Sequence, residues 1–177
     1  MNRIKRQFDL FFSFVGISLF LPVGALIALM IKIEDSGPIF FIQERVGYRG
    51  KLFRMIKFRT MVRDADKVGT AITIGNDPRI TRIGRWLRRF KLDEFPQLFN
   101  VLKGEMSFVG PRPEVPRYVA AYNDREREVL KLTPGITDPA SIIYRNESEI
   151  LSKFEDPEKQ YIEKIMPDKI RINLEYA

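Results

Sequence analysis

Residues 77 to 114 read DPRITRIGRWLRRFKLDEFPQLFNVLKGEMSFVGPRPE, and the rest of the chain is organised around this stretch. It contains an arginine-rich segment, then the adjacent carboxylates Asp93 and Glu94, then Arg112 between two prolines. Guanidinium groups present their donors in a fixed fork that matches the oxygens of phosphate. The stretch therefore indicates a site for a strongly charged anion, with phosphate as the first candidate.

The first part of the stretch predicts a helix over residues 78 to 90. Asp77 and Pro78 are typical of a helix cap and a first helical position, and apolar residues follow them at helical spacing. Four arginines on one side of this helix would repel one another unless a negative group lies there. These arginines are Arg82, Arg85, Arg88 and Arg89.

A second helix is predicted from Leu92 to Lys103, with Asp93 as its cap and Gly104 at its end. Asp93 and Glu94 would then lie at a helix N-terminus, which favours an ionised carboxylate and a nearby phosphate. An ionised aspartate can attack phosphorus or hold a divalent metal, and the neighbouring glutamate can move a proton. The plainer interpretation is a helix cap beside a solvated charged face, and these residues alone leave both open.

The order of residues in this stretch resembles the signature of the bacterial sugar transferases, the monotopic phosphoglycosyl transferases. Members of that family move a sugar 1-phosphate from a nucleotide sugar onto a polyprenyl phosphate. The resemblance covers nearly the whole chain, and its central block is long and ordered. The residues that carry it are Asp77, Pro78, Arg79, Arg82, Gly84, Arg85, Leu92, Asp93, Glu94, Pro96, Gln97, Asn100, Leu102, Gly104, Ser107, Val109, Gly110, Pro111, Arg112 and Pro113.

The resemblance implies a two-step reaction. Asp93 would attack the β-phosphorus of a UDP-sugar and release UMP, and polyprenyl phosphate would then accept the sugar phosphate. The resemblance also implies Mg2+ held in part by Asp93, with Glu94 as the candidate acid or base. The residues expected to bind the substrate phosphates are Lys57, Arg59, Arg85, Arg88 and Arg112.

Two alternatives stay open at this point. In the first, transfer is concerted and Asp93 is only a metal ligand. In the second, the chain is a membrane-tethered module whose cationic face holds nucleic acid or acidic lipid without chemistry. The enzyme interpretation expects a UDP-sugar, polyprenyl phosphate and membrane phospholipids as partners, and no nucleic acid. The sequence leaves the sugar and the oligomeric state open.

Composition excludes several kinds of site. The 177 residues carry a net charge of +7 and contain neither cysteine nor histidine. A Ser/His/Asp triad, a Cys/His pair and a histidine or thiolate zinc site are therefore excluded. Acid and base work would fall to carboxylates, lysine, tyrosine or arginine-bound water. The positive charge favours anionic partners.

The segment from Leu10 to Ile31 has no charged residue and is long enough for a bilayer. Pro22 lies near its middle with Ser18 one turn before, and basic residues flank both ends, which favours both ends in the cytoplasm. We therefore expect residues 1–35 to form a re-entrant membrane helix that is broken at Ser18 and Pro22. A kinked spanning helix is the alternative. The resemblance implies the bacterial inner membrane, with the catalytic domain on the cytoplasmic face.

The remaining residues, 36–177, are expected to form this catalytic domain. Branched and aromatic residues over Ile39–Ile42 and Leu52–Phe58 predict a β-hairpin. Lys57 and Arg59 alternate with Phe58, so both cations are expected on one face, where they could reach a diphosphate or merely guard a strand edge. Helices are predicted over 114–121, 124–131, 146–154 and 157–166, with an apolar connection over 137–144. The fold class is thus α+β, mainly helical with a small β-hairpin.

Overall fold

The protein begins with α1 (Arg3–Glu34), an apolar helix of 32 residues. The fold is taken from a computed structural model that describes residues 3–65, 73 and 77–177. Among these residues α1 is the one helix long and apolar enough to cross a membrane, judged by length and composition. Many of its large apolar side chains are exposed, so one side of α1 is available to an apolar environment. A short helix predicted over 61–67 and a loop predicted over 69–76 lie partly or largely outside the described residues.

The helix α1 continues through Pro22, where the sequence predicts a break. Proline removes one backbone donor and leaves the carbonyl of Ser18 without its helical partner. Phe20 and Ile27, which lie on either side of the proline, both pack against the rest of the protein. The helix α1 thus packs against the protein on both sides of Pro22, and the re-entrant path stays a prediction.

The predicted hairpin is present. Its strands are β1 (Phe40–Val46) and β2 (Leu52–Phe58), which pair antiparallel over their full length. The first strand is longer than predicted because its last residues also pair with β2. Arg49 and Gly50 adopt positive φ values in the turn that joins the strands.

The helix predicted over residues 78–90 is shorter and begins later, as α2 (Arg82–Arg89). Thr81 caps it through its side chain. Asp77, the predicted cap, instead binds the guanidinium of Arg79. The prediction of Asp77 as a helix cap is therefore wrong, because its carboxylate is engaged within the turn that precedes the helix.

The second predicted helix is divided into a 3₁₀ turn over Leu92–Glu94 and α3 (Gln97–Lys103). The two residues between turn and helix keep right-handed helical angles, so the chain runs on without reversal. Asp93 does not cap the helix, since it lies inside the turn. Lys91 precedes the turn in the left-handed conformation, with a φ of 57°.

Short elements make up the rest of the chain. A parallel pair, β3 (Ser107–Val109) and β4 (Gly135–Thr137), was not predicted, because each strand has only three residues. The segment predicted as a connection over 137–144 contains a helix, and the segment over 124–131 contains a 3₁₀ helix rather than an α-helix. The elements are β3 (Ser107–Val109), α4 (Pro116–Val119), β4 (Gly135–Thr137), α5 (Pro139–Ile143), α6 (Glu147–Leu151), α7 (Pro157–Gln160) and α8 (Met166–Tyr176).

Three apolar clusters hold these elements together. The largest joins α4, α6 and α8, and its buried members include Tyr118, Leu151, Tyr161, Met166 and Ile170. A second joins α1, α2 and the end of β2 through Ile27, Ile31, Phe58 and Leu87. A third joins β2 to α3 through Phe53, Met55, Val101 and Met106. The strand β2 belongs to two clusters, so it connects α1 to the segment that carries Asp93.

Candidate active site

Glu94 lies between two cations that come from different elements. Arg112 donates from Nη1 to Glu94 Oε2 at 3.1 Å and from Nη2 to Glu94 Oε1. Lys57 Nζ on β2 is 3.4 Å from Glu94 Oε1. A carboxylate bound by the fork of an arginine is held in a defined orientation. The structure thus brings together three of the residues that the sequence predicts for the site.

The backbone around Arg112 is fixed on both sides. Pro111 and Pro113 flank it, and its own amide donates to Asp138 Oδ2 at 3.1 Å. Asp138 is 1% exposed and also caps α5. Sequence reasoning missed this contact, although an aspartate directly before a proline is typical of a helix start. The backbone that carries Arg112 is therefore held rigid.

Asp93 is buried beside this group, with 7% of its surface exposed. Its Oδ1 has no hydrogen-bond partner among the described residues. Burial raises the pKa of Asp93, and the charge of Glu94 acts in the same direction against Lys57 and Arg88. A buried carboxylate with one oxygen unengaged is available to bond to phosphorus or to a cation.

The charges set the protonation states of the neighbours of Asp93. Burial on its own would raise the pKa of Glu94, but Lys57 and Arg112 together lower it to about 2. Burial and the charge of Arg112 lower the pKa of Lys57 to about 8, against the opposing effect of Glu94. Glu94 is therefore ionised at neutral pH, and it becomes a better proton acceptor only when a substrate draws one of its cations away. Its role as acid or base stays a prediction.

Arg88 and Arg85 lie on different sides of α2. Arg88 Nε is 2.8 Å from Thr60 Oγ1, and the charges of Asp93 and Arg88 act on each other. Arg85 is exposed, and its guanidinium donates to the carbonyl of Ile80 at 3.2 Å. The structure therefore turns Arg88 towards the acidic pair and leaves Arg85 facing outward.

Arg59 is engaged at the end of α1. Its Nη1 is 2.7 Å from Asp35 Oδ2, and its Nη2 donates to the carbonyl of Asp35 at 2.9 Å. Lys57 and Arg59, which were expected to act together on one face, are thus bound to different acids. In this state Arg59 joins α1 to the end of β2.

The described residues contain no group of three or more histidine, cysteine, aspartate or glutamate side chains that could hold a metal ion. A magnesium ion usually needs only one or two carboxylates when substrate phosphates and water supply its other ligands. Asp93 offers an unengaged, buried oxygen of the right kind, whereas both oxygens of Glu94 are taken by cations. The donor set therefore fits a magnesium ion that arrives with a diphosphate.

The family model described as bacterial sugar transferase matches residues 1–176. A Bacillus subtilis (strain 168) protein, provisionally named undecaprenyl-phosphate N-acetylgalactosaminyl 1-phosphate transferase, is 46% identical over 121 residues, which is 68% of each chain. The UDP-glucose:undecaprenyl-phosphate glucose-1-phosphate transferase of Escherichia coli (strain K12) is 42% identical over 165 residues.

A third relative is the exopolysaccharide production protein ExoY of Rhizobium meliloti (strain 1021), which is 37% identical over 158 residues. These residues are 81% of this chain and 70% of the relative. The match to the Escherichia coli protein covers 88% of this chain but 34% of the relative. The chain thus spans about two thirds of its shorter relatives and about one third of the longer one.

Proposed function

Because the chain belongs to the bacterial sugar transferase family, we propose that it transfers a sugar 1-phosphate from a UDP-sugar to polyprenyl phosphate. Undecaprenyl phosphate is the acceptor in the names of two of the relatives above. The products would be a polyprenyl diphosphosugar and UMP, as the first membrane step of glycoconjugate assembly. The observation that carries the proposal is Asp93, a buried carboxylate with an unengaged oxygen beside the cations Lys57 and Arg88 and a second carboxylate, Glu94.

The first step forms a bond between a carboxylate oxygen of Asp93 and the β-phosphorus of the UDP-sugar. The bond from that phosphorus to the oxygen of UMP breaks, and UMP leaves with the electron pair. In the second step an oxygen of polyprenyl phosphate attacks the same phosphorus, and the carboxylate of Asp93 is released. A carboxylate nucleophile divides one difficult transfer into two easier ones.

The cations give the site its preference for phosphate. Arg112 and Lys57 are paired with Glu94 before substrate arrives, so one negative charge offsets part of two buried positive charges. A diphosphate can compete for these donors, and the charge that develops on its oxygens is stabilised by them. Arg88 adds a third charge next to Asp93. A magnesium ion held by Asp93 and the diphosphate would supply further charge neutralisation.

The helix α1 suits an enzyme whose acceptor is a lipid. Its exposed apolar side chains can face hydrocarbon, and the positive charge of the chain favours the anionic head groups of phospholipids. We propose that α1 is the re-entrant helix of a monotopic protein and that the rest of the chain lies at the cytoplasmic face of the inner membrane. Soluble nucleotide and lipid phosphate could then reach Asp93 from opposite sides of the interface.

Asp93→Asn tests the proposal. The protein is assayed in detergent micelles with magnesium and a panel of UDP-sugars. When polyprenyl phosphate is omitted, each protein molecule should release no more than one UMP. Mass spectrometry should then find one sugar phosphate on the peptide that contains Asp93. Asp93→Asn should lose UMP release by about 1,000-fold or more while it keeps its unfolding temperature.

Three results would count against parts of this account. Full turnover without any adduct would favour concerted transfer with Asp93 only as a metal ligand. UMP release by Asp93→Asn at the rate of the unaltered protein would show that Asp93 is not the nucleophile. Absence of UMP release by the unaltered protein with every UDP-sugar of the panel would favour a polyanion-binding module. Asp124→Asn, at an exposed position, is the matched control for loss of one negative charge.

A further inference from the structure

Gln97 is the most deeply buried polar side chain near Asp93 that has no bond of its own. It is 0% exposed, and neither its Nε2 nor its Oε1 has a hydrogen-bond partner among the described residues. An amide left unpaired in a protein interior loses its hydration without compensation. Such groups are rare in folded proteins and require an explanation.

A second buried amide on α3 shows what a structural role looks like. Asn100 is also 0% exposed, but its Oδ1 accepts from the amide of Ile56 at 3.1 Å. Its Nδ2 donates to the carbonyl of Arg54 and to Glu105 Oε2, both at 2.7 Å. Asn100 therefore joins α3 to β2, whereas Gln97, one turn earlier on the same helix, joins nothing.

Gln97 lies close to Asp93 along the chain. The chain between the two residues keeps right-handed helical angles, so Gln97 follows Asp93 by about one turn. Side chains on a helix lean towards its N-terminus and cover the preceding turn, which here contains Asp93. Asp93 Oδ1 is also buried and unpaired, so the two residues do not satisfy each other. Both polar groups are left for a third group to bind.

We propose that Gln97 is a substrate-binding residue whose Nε2 donates a hydrogen bond to an oxygen of the phosphoryl group that is transferred to Asp93. The inference deepens the proposed function and rests on it. Phosphoryl oxygens only accept hydrogen bonds, so they complement the amide donor. Since the amide is neutral, it can hold the phosphoryl group without forming an ion pair with Asp93. Lys57 and Arg112 cannot replace it before substrate arrives, because both are engaged by Glu94.

Gln97→Met separates binding from folding. Methionine has a similar length and no group that needs a partner, so the unfolding temperature should stay the same or rise. UMP release from a UDP-sugar in a single turnover should fall about 100-fold, as for other removed donors to transition-state oxygens. Asn100→Leu is the structural control, and its unfolding temperature should fall because three hydrogen bonds are lost.

Gln97→Glu provides a second readout, because a buried carboxyl group can donate only when it is protonated. The ratio of its activity to that of the unaltered protein should rise as the pH is lowered from about 8 to about 6. A buried carboxylate also destabilises the fold as it ionises, so the ratio is taken only at pH values where thermal unfolding shows both proteins to be folded. In that range a purely structural role of Gln97 would leave the ratio independent of pH.

Three outcomes would overturn the inference. They are unaltered UMP release by Gln97→Met, a loss of stability in Gln97→Met comparable with that of Asn100→Leu, and a ratio for Gln97→Glu that does not change with pH. Asp93→Asn, measured in parallel, distinguishes this failure from failure of the proposed function. If Asp93→Asn is inactive and Gln97→Met is fully active, the reaction stands and the role of Gln97 is wrong.

Discussion

At the scale of single residues, the pair formed by Glu94 and Lys57 decides how the site responds to pH. Burial lowers the pKa of Lys57 more than the charge of Glu94 raises it, so this pKa falls to about 8. Glu94 stays ionised down to about pH 2, because it has two cationic partners. The alkaline limit of the site therefore depends on Lys57 and not on the acids.

This arrangement predicts the sign of the pH dependence. Lys57 is charged below its pKa and neutral above it, so UMP release should fall as the pH rises through about 8. Lys57→Arg should keep the charge, because guanidinium stays protonated, and should move this alkaline limit above about pH 10. The measurement is the rate of UMP release between about pH 6 and pH 10. Lys103→Arg, on an exposed position of α3, should leave the midpoint unchanged.

An alkaline midpoint near 8 that persists in Lys57→Arg would assign the limit to another group. The charge of Lys57 would then not be needed for binding the substrate phosphates.

At the scale of elements, α2 is placed by a close contact between two backbones. A Cβ atom on Gly84 would lie 2.0 Å from the carbonyl oxygen of Thr60, so only glycine allows α2 to lie against the end of β2. The same approach brings Arg88 to the hydroxyl of Thr60 and keeps its charge near Asp93. Gly84 therefore affects the candidate site indirectly, because it allows Arg88 to lie near Asp93.

Gly84→Ala should force α2 away from β2, since the clash is with backbone and not with a flexible side chain. We expect a loss of about 2 kcal/mol in the free energy of unfolding, together with weaker UMP release at low UDP-sugar concentration. Thermal unfolding and the KM for UDP-sugar measure the two effects. Gly24→Ala is the matched control, because its Cβ would meet only ordinary contacts at 3.8 and 3.9 Å. Equal stability of the two variants would contradict this account.

The elements also show where sequence reasoning succeeds. The hairpin and α3 were predicted because alternation and helical spacing are local signals. The start of α2 was not, since Glu34, which is 48 residues away from Arg82, accepts hydrogen bonds from the first amides of the helix. The pair β3 and β4 was missed because three-residue strands carry almost no pattern.

Some contacts of the candidate site were likewise expected from the sequence, and others were not. The family resemblance implies that Lys57, Glu94 and Arg112 share a function, and they are in contact. Alternation along a strand also placed Arg59 with Lys57. Arg59 instead binds Asp35, an acid contributed by the end of α1. Long-range ion pairs of this kind depend on packing that no local pattern reveals.

At the scale of the whole molecule, α1 is attached to the rest of the protein near both ends. Near its start Arg6 donates to the carbonyls of Val101 and Leu102 at 2.6 and 2.7 Å. About one turn on, Asp9 is 1% exposed and accepts hydrogen bonds from Ser107 and Phe108. At its other end Glu34 and Asp35 hold α2 and Arg59.

The buried contact of Asp9 should matter most for stability. Asp9→Ala leaves the hydroxyl of Ser107 and the amide of Phe108 unpaired in the interior, which should cost about 1–3 kcal/mol. Asp9→Asn keeps one acceptor oxygen and should lose less. Thermal unfolding in detergent micelles, with exposed Asp124→Ala as the control, measures the difference. If Asp9→Ala and Asp124→Ala are equally stable, α1 is not held in place through Asp9.

The stacked rings of Phe20 and Phe95 have a consequence for how the lipid substrate is reached. Phe95 lies two residues after Asp93, and Phe20 lies near the middle of α1. Asp93, the proposed nucleophile, therefore has a fixed level along α1. Lengthening the connection between α1 and β1 should therefore leave the level of Asp93 along α1 unchanged. A thinner bilayer would have to deform around the protein to bring the phosphate of the lipid substrate to the same height as Asp93.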